Sequence, residues 1–187
     1  MREFLEQFDI LPRIGSGSRP LPHSHGTERE VVELFDELRD RMLRYLLGFG
    51  LAMPDCEEIV QETFLALFLH LRKGRSRRNL RSWLFRVAHN LALKNLQSAS
   101  REARHLVDCD GELVSASTPE ELCSENQTQQ RLRSVFYVLP EESRRCLSLR
   151  AEGFTYREIA LILDMSLGAV AISLARSLSR MAEAAKR

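Results

Sequence analysis

TYREIALILDMSLGAVAISLARSLSRM, residues Thr155 to Met181, reads as two short helices joined by a tight turn, and this stretch sets the class of fold. Thr155 and Glu158 have the S/T-x-x-E spacing by which a helix start satisfies its own amides, and Ile159, Ile162 and Leu163 then supply an apolar face. Asp164-Met165-Ser166 interrupts that pattern. Ser166 is placed to cap a second helix, in which Val170, Leu174, Leu178 and Met181 recur at i, i+4, i+8 and i+11 and predict a buried stripe. Two helices so spaced form a helix-turn-helix, a unit whose second helix enters the major groove of DNA. The same spacing occurs in helical hairpins that do no more than fill a core, so the rest of the chain must discriminate.

A chain of 187 residues, 44% hydrophobic, has the material for one sizeable core or two small ones. Its 27 Lys and Arg against 26 Asp and Glu leave a formal net charge of +1, so nucleic-acid binding has to come from local basic patches. Apolar runs such as Phe64 to Leu69 are too short to cross a bilayer, and Glu3, Glu6 and Asp9 make the N-terminus unlike a signal peptide; the expected location is cytoplasmic. Cys56, Cys109, Cys123 and Cys146 lie far apart with no C-x-x-C pair, which predicts reduced structural thiols and no metal or cofactor. His23 and His25 sit in the Gly/Ser/Pro-rich stretch GSGSRPLPHSHG, a composition of tails rather than of metal sites. No nucleophile, general base or metal constellation stands at a catalytic spacing, and the expectation is a protein that is not an enzyme.

The chain divides into an N-terminal extension at 1–26, a helical block at 27–103, a polar and acidic linker at 104–126 containing DCDGELVSASTPEELCSEN, and a second helical block at 127–187. No strand alternation is present, and the predicted class is all-α. In the first block Val31, Leu34, Phe35, Leu38, Met42 and Leu46 trace one helical face, punctuated by Gly48 and Gly50. A second helix is expected after Pro54, with Asp55, Glu57 and Glu58 in its first turn, and a third from about Leu80 past Asn95.

DCEEIVQETFLALFLHL, from Asp55 to Leu71, carries Val60, Phe64, Leu67 and Leu71 on a core face. Glu58, Gln61 and Glu62 share another face, suited to a partner that presents Arg or Lys, or simply to water. LRKGRSRRNLRSWL follows, crowding Arg72, Lys73, Arg75, Arg77, Arg78 and Arg81 into a short loop whose mutual repulsion a phosphate backbone would relieve. Trp83 opens the next helix, along which Arg86, Asn90 and Lys94 fall on one side; a basic strip beside an aromatic can hold single-stranded DNA, while a lone Trp there also suits a core anchor.

The order DCEEIVQETFLALF, basic loop, RSWLFRVAHNLA, linker, then LPEESRRCLSLRAEGFTYREIALILDMSLGAVAISLARSLSRM resembles bacterial RNA polymerase sigma factors of the extracytoplasmic-function (ECF) group of the sigma-70 family, in regions 2 and 4. The resemblance implies that Glu58, Gln61 and Glu62 grip the clamp helices of the polymerase β′ subunit. It implies that Arg75, Arg77, Arg78, Arg81, Trp83, Arg86, Asn90 and Lys94 capture the −10 element as the promoter opens. The resemblance further implies that Leu139-Pro140 begins region 4, which would lean on the β flap while Arg157, Ser166, Ala169, Ile172, Ser173, Arg176 and Arg180 face the −35 element. The linker would run near the active-site channel and the RNA exit path, and an anti-sigma factor is a further partner the family suggests. Three features depart from the family: Ala169, Ala171, Ile172, Ser173 and Leu178 stand where a threonine and several basic residues are usual, Lys94 stands where an acid is usual, and the extension through Gly26 has no counterpart. The competing reading is a helix-turn-helix regulator with a sensing or dimerising N-terminal block; an anti-sigma or structural adaptor is a third. A regulator has no need of the basic loop or of the Glu58-Gln61-Glu62 face, and an adaptor would keep the helices but not the basic loop.

Overall fold

The computed structural model describes residues 24–106 and 127–186, and among them it contains seven helices and no strand. They are α1 (Ser24–Leu47), α2 (Met53–Arg72), α3 (Leu80–Leu106), α4 (Gln127–Val138), α5 (Glu141–Ala151), α6 (Tyr156–Leu163) and α7 (Leu167–Lys186). The expected linker lies mostly outside the described residues, as do Cys109, Cys123 and the side chains of His23 and His25. One helix limit differs from expectation. Helix α2 starts at Met53, one residue before Pro54, because a proline in the first turn removes only an amide that has no helical partner. Helix α3 runs from Leu80 to Leu106, in keeping with the helix expected from about Leu80 past Asn95.

Helices α1, α2 and α3 form the first block. Leu38, Met42 and Leu46 of α1 are fully buried, and Val60, Phe64, Leu67 and Leu71 of α2 and Leu84, Phe85 and Ala88 of α3 close on them. The chain leaves α1 through Gly50, whose φ of +78° is a conformation that costs a side-chain-bearing residue energy but glycine little. A hydrogen bond of 2.8 Å joins the Tyr45 hydroxyl to His89 Nδ1 inside this core. Burial pushes the tyrosine hydroxyl far above its usual range. Burial first, and the nearby Arg145 guanidinium second, hold His89 down to about 4.

The second block is built on the helix-turn-helix. The Thr155 side chain accepts from the Glu158 amide at 3.3 Å while the Thr155 amide donates to Glu158 Oε2 at 2.8 Å, so both halves of the capping box are present. The bond donated by the Thr155 amide first, and those donated by the Thr155 and Ser82 hydroxyls after it, hold the Glu158 carboxyl below its ordinary value. Asp164 ends α6 in the left-handed region at φ 54°, and Ser166 Oγ accepts from the Ala169 amide at 3.1 Å to start α7, which departs at 109° to α6. Thr155→Ala should destabilise this unit by about 1 kcal/mol, since it orphans the Glu158 amide and removes one of the donors to the Glu158 carboxylate; urea denaturation of parent and variant measures it.

The α7 stripe departs from expectation at one position. Val170 and Leu174 are fully buried, but Leu178 is 47% exposed and Ser177 takes its place at 1%. Eight residues at 100° each carry Leu178 about 80° round from Val170, whereas seven bring Ser177 back to within about 20°. The Ser177 hydroxyl is accommodated there by donating to the Ser173 carbonyl at 2.8 Å.

The two blocks touch. Their buried residues form one continuous cluster that joins Phe85 and Ala88 of α3 to Cys146, Leu149, Phe154, Ile159 and Ile162. The contact is delivered by the end of α5. Gly153, at φ +86°, follows the C-cap Glu152; its amide donates to Arg150 O at 3.0 Å, and the Phe154 amide reaches back to Leu149 O at 3.2 Å. This pair of bonds is a Schellman motif, which places an apolar residue just past the helix end. That residue is Phe154, wholly buried against Phe85 with ring centroids 4.8 Å apart.

Candidate nucleic-acid interface

A second Schellman motif shapes the basic loop. After the C-cap Lys73, the Gly74 amide donates to Leu71 O at 2.9 Å and the Arg75 amide to His70 O at 3.4 Å, turning the chain sharply with Gly74 at φ +67°. The turn fans the arginines in different directions. Arg78 is exposed, Arg75 half-buried, and Arg77 pairs with Glu30 of α1 at 2.9 Å. Arg81 leaves the loop altogether: it donates to the Glu152 carbonyl of the second block and lies 4.4 Å from the Phe154 ring centroid. Trp83 is half-buried, packed against the core on one side and 4.7 Å from the His70 ring. Core anchor and exposed aromatic edge are thus both true of it.

Along α3, Arg86 is exposed and Asn90 half-buried. Lys94 lies one turn beyond Asn90, where it lines a groove of about 310 Å³ with Glu58, Glu62, Leu65, Leu69 and Asn95. The structure therefore sets Lys94 beside the acidic face rather than at the basic loop. Gln61 and Glu58 are exposed and Glu62 is half-buried, and Leu65, at 57% exposure, adds an apolar floor between α2 and α3. Carboxylates rimming an apolar groove suit a partner helix that offers Arg or Lys around a hydrophobic anchor.

On the second block, Arg157, Ser166, Ile172, Arg176 and Arg180 are exposed, and Ala169 is half-buried. Arg176 and Arg180 stand one turn apart, with Ile172 a turn before them at 55% exposure. Ser173 turns inward, where its hydroxyl meets Ser143 Oγ of α5 at 3.0 Å, so it is committed to packing α7 on α5. Arg180 lines a hollow between α4 and α7 with Arg131, Val138 and Glu183. The exposed face of α7 consequently offers a few arginines and small or branched apolar groups, with few hydrogen-bonding side chains.

Family models match both blocks, in the order seen along the chain: sigma-70 region 2 over residues 34–102 and sigma-70 region 4 over residues 129–181. The chain belongs to the sigma-70 family, within its ECF group. It is 31% identical over 127 residues to the ECF RNA polymerase sigma-E factors of Escherichia coli K12 and Salmonella typhimurium LT2, covering 62% of this chain and 66% of theirs. The chain thus spans a little under two thirds of the length of those curated relatives. It is 24% identical over 155 residues to the RNA polymerase sigma-H factor of Pseudomonas aeruginosa, covering 78% of this chain and 80% of that one. Among solved structures it resembles the sigma factor RpoE from Bartonella quintana in complex with the anti-sigma factor NepR, at a TM-score of 0.63 and 21% identity over 85% of this chain and 96% of that one. It also resembles CnrH in complex with the cytosolic domain of CnrY, at a TM-score of 0.59 and 24% identity over 86% and 90% of the two chains. Both likenesses concern the fold.

In this sigma-family chain the residues that sequence reasoning missed are Glu152, Gly153 and Phe154. The signal was there in Ala151-Glu152-Gly153-Phe154: a glycine one place past a helix end, then an aromatic residue. What the signal could not say is that the aromatic would enter the other block. Two of the cysteines are described, and both are buried free thiols; burial pushes Cys56 up to about 11 and raises Cys146 as well, which keeps them protonated and unreactive. Among the described residues no His, Cys, Asp and Glu group is placed to hold a metal ion, and no single helix is long and apolar enough to cross a membrane.

Proposed function

We propose that this chain is a transcription initiation factor that binds RNA polymerase core and directs it to promoters, reading −10 and −35 elements and assisting DNA opening. The observation that carries the reading is the ordered match to sigma-70 regions 2 and 4 on two helical blocks, each with an exposed polar or basic face. Residues 27–103 and 127–187 are the two working domains, 1–26 an extension and 104–126 the connecting segment. The factor is cytoplasmic and performs no covalent chemistry of its own. Its partners are the β′ clamp helices and β flap of core, promoter DNA, and an anti-sigma factor, a reading supported by the RpoE neighbour, which was captured with the anti-sigma factor NepR.

The mechanism follows from differential binding. Opening is favoured when a surface holds the melted strand better than the duplex, and the basic loop with Arg75, Arg77, Arg78, Trp83, Arg86 and Asn90 offers cations beside an aromatic edge for unstacked bases. Arg77 must exchange Glu30 for a phosphate to take part, an exchange between two charge-assisted pairs rather than a new one. Glu58, Gln61 and Glu62, with the groove that Lys94 shares, dock on the polymerase. On α7, Arg176, Arg180 and Arg157 meet phosphates, while Ala169 and Ile172 supply apolar contacts of the kind that recognise thymine methyl groups. Ser166 caps α7 at the end that enters the groove.

Run-off transcription with purified core and promoter fragments tests this. Gln61→Ala/Glu62→Ala should weaken core binding by about tenfold or more, as removal of paired interface side chains does. Arg77→Ala/Arg78→Ala should leave core binding intact, impair opening, and lower the salt slope of single-strand binding by roughly 1.4, about 0.7 for each phosphate no longer neutralised. A parent chain that never co-elutes with core, yet binds duplex DNA tightly alone, would instead establish the helix-turn-helix regulator.

A further inference from the structure

The middle of the basic loop is held by a residue outside it. His70 stands in the last turn of α2 and is half-buried. Its backbone carbonyl accepts from the Arg75 amide at 3.4 Å, and its ring Nε2 lies 3.0 Å from the Ser76 carbonyl oxygen. A carbonyl oxygen only accepts, so Nε2 carries the proton and donates. The same ring lies 4.7 Å from the Trp83 ring, tilted to it by 40°. One side chain therefore touches both the backbone between Arg75 and Arg77 and the aromatic residue at the start of α3. The rest of the loop closes locally. The Arg78 amide donates to Ser76 Oγ at 3.2 Å, and Asn79, left-handed at φ 55°, turns the chain into α3, where the Trp83 amide donates to Asn79 O at 3.0 Å. A segment that carries Lys73, Arg75, Arg77 and Arg78 is thus kept in one shape against the mutual repulsion of its charges.

We propose that His70 is the positioning residue for single-strand capture: its ring clasps the Ser76 carbonyl and backs Trp83, so that the cations of the loop and the aromatic edge form one surface before any strand arrives. The inference rests on the capture reading above and adds to it the residue on which that surface depends. A loop without the clasp would have to be ordered as the strand bound, and the conformational entropy lost at that moment would lower affinity. His70 makes no contact with the strand in this scheme, because its donor is committed to Ser76. Its loss therefore weakens binding without changing how many phosphates are neutralised, and the dependence of affinity on salt keeps its slope. His70 also lies outside the groove at Glu58 and Glu62, so polymerase docking is separable from its role.

Full-length variants divide the two contacts. His70→Phe keeps a ring beside Trp83 and loses the donor, His70→Gln keeps a donor for Ser76 and loses the ring, and His70→Ala loses both. Amide hydrogen exchange over residues 74–79 should quicken about tenfold in His70→Phe and His70→Ala and stay near the parent in His70→Gln. Trp83 is the sole tryptophan of the chain, so acrylamide quenching of its fluorescence reads its surroundings directly. Quenching should rise in His70→Gln and His70→Ala but not in His70→Phe. Affinity for a fluorescein-labelled, random-sequence single strand of about 20 nucleotides, measured with and without core, should fall severalfold when either contact is lost and about tenfold or more in His70→Ala. The salt slope and co-elution with core should match the parent throughout. Comparing His70→Gln with His70→Ala decides the clasp even where the aromatic variant does not fold: equal loop exchange in those two overturns it. Faster exchange with parent-like strand affinity overturns the positioning role and leaves the capture reading standing. A slope lower by about 0.7 makes His70 a phosphate ligand and overturns the role as well. A parent that binds no single strand, alone or with core, removes the capture reading itself, a failure that none of the other outcomes mimics.

Discussion

Phe154→Ala should cost about 3–5 kcal/mol of stability and convert one cooperative unfolding transition into two. The side chain belongs to the second block, whereas a wall of its cavity, Phe85, belongs to the first, and both are fully buried. Truncation forfeits the transfer free energy of the ring and leaves a void that relaxes poorly, because Leu149 and Ile159 are themselves fully buried around the same turn. It also removes the face on which the Arg81 guanidinium lies. Calorimetry decides the matter. A parent that already melts in two steps, or a variant that loses less than about 1 kcal/mol, would show that the blocks share no core in solution.

The second large effect is on pH dependence. His89 is 4% exposed, its Nδ1 is tied to the Tyr45 hydroxyl, and burial with Arg145 nearby holds its folded value down to about 4, against about 6.5 when unfolded. Between those values the unfolded chain binds a proton that the folded chain refuses, so stability rises with pH across that window. Stabilisation is therefore complete above pH about 6.5 and is lost as the pH falls toward about 4, by a total of about 3 kcal/mol. Urea denaturation at a series of pH values should show that slope in the parent. His89→Gln should be less stable at neutral pH, because Tyr45 loses its partner, yet nearly flat from pH about 6.5 to about 5. A variant that keeps the parent's slope would assign the dependence to other groups. Glu158 adds in the same direction at lower pH, since its depressed value makes the capping box an asset only while the carboxyl is ionised.

Much of the architecture could be read directly. The Thr155-Glu158 box, the Ser166 cap and the Asp164 break are local hydrogen-bonding instructions, and each is found as expected. The core faces of α1 and α2 were equally legible, since a period of 3.6 residues needs no knowledge of what will cover it. Leu178 failed because a stripe extrapolated in steps of four drifts, and the resulting seat at Ser177 is polar, which composition alone would not choose. The candidate surfaces were legible as sets of residues but not as partnerships. Nothing local marks Arg77 for Glu30 or Ser173 for Ser143, and nothing separates Arg81 from its neighbours in a run of similar arginines.

What the amino-acid order determined is therefore the helices, their caps, the division into two blocks and the family to which they belong, because all of these depend on contacts within a few turns of chain. Tertiary structure alone decided that Lys94 shares a groove with Glu58 and Glu62, and that Glu152 and Phe154 of one block are held by Arg41, Arg44, Arg81 and Phe85 of the other. Such contacts join residues far apart in the chain, such as Arg81 with Glu152 at a separation of 71. Their partners are chosen by the shape and charge that the finished blocks present to each other, which no local pattern encodes.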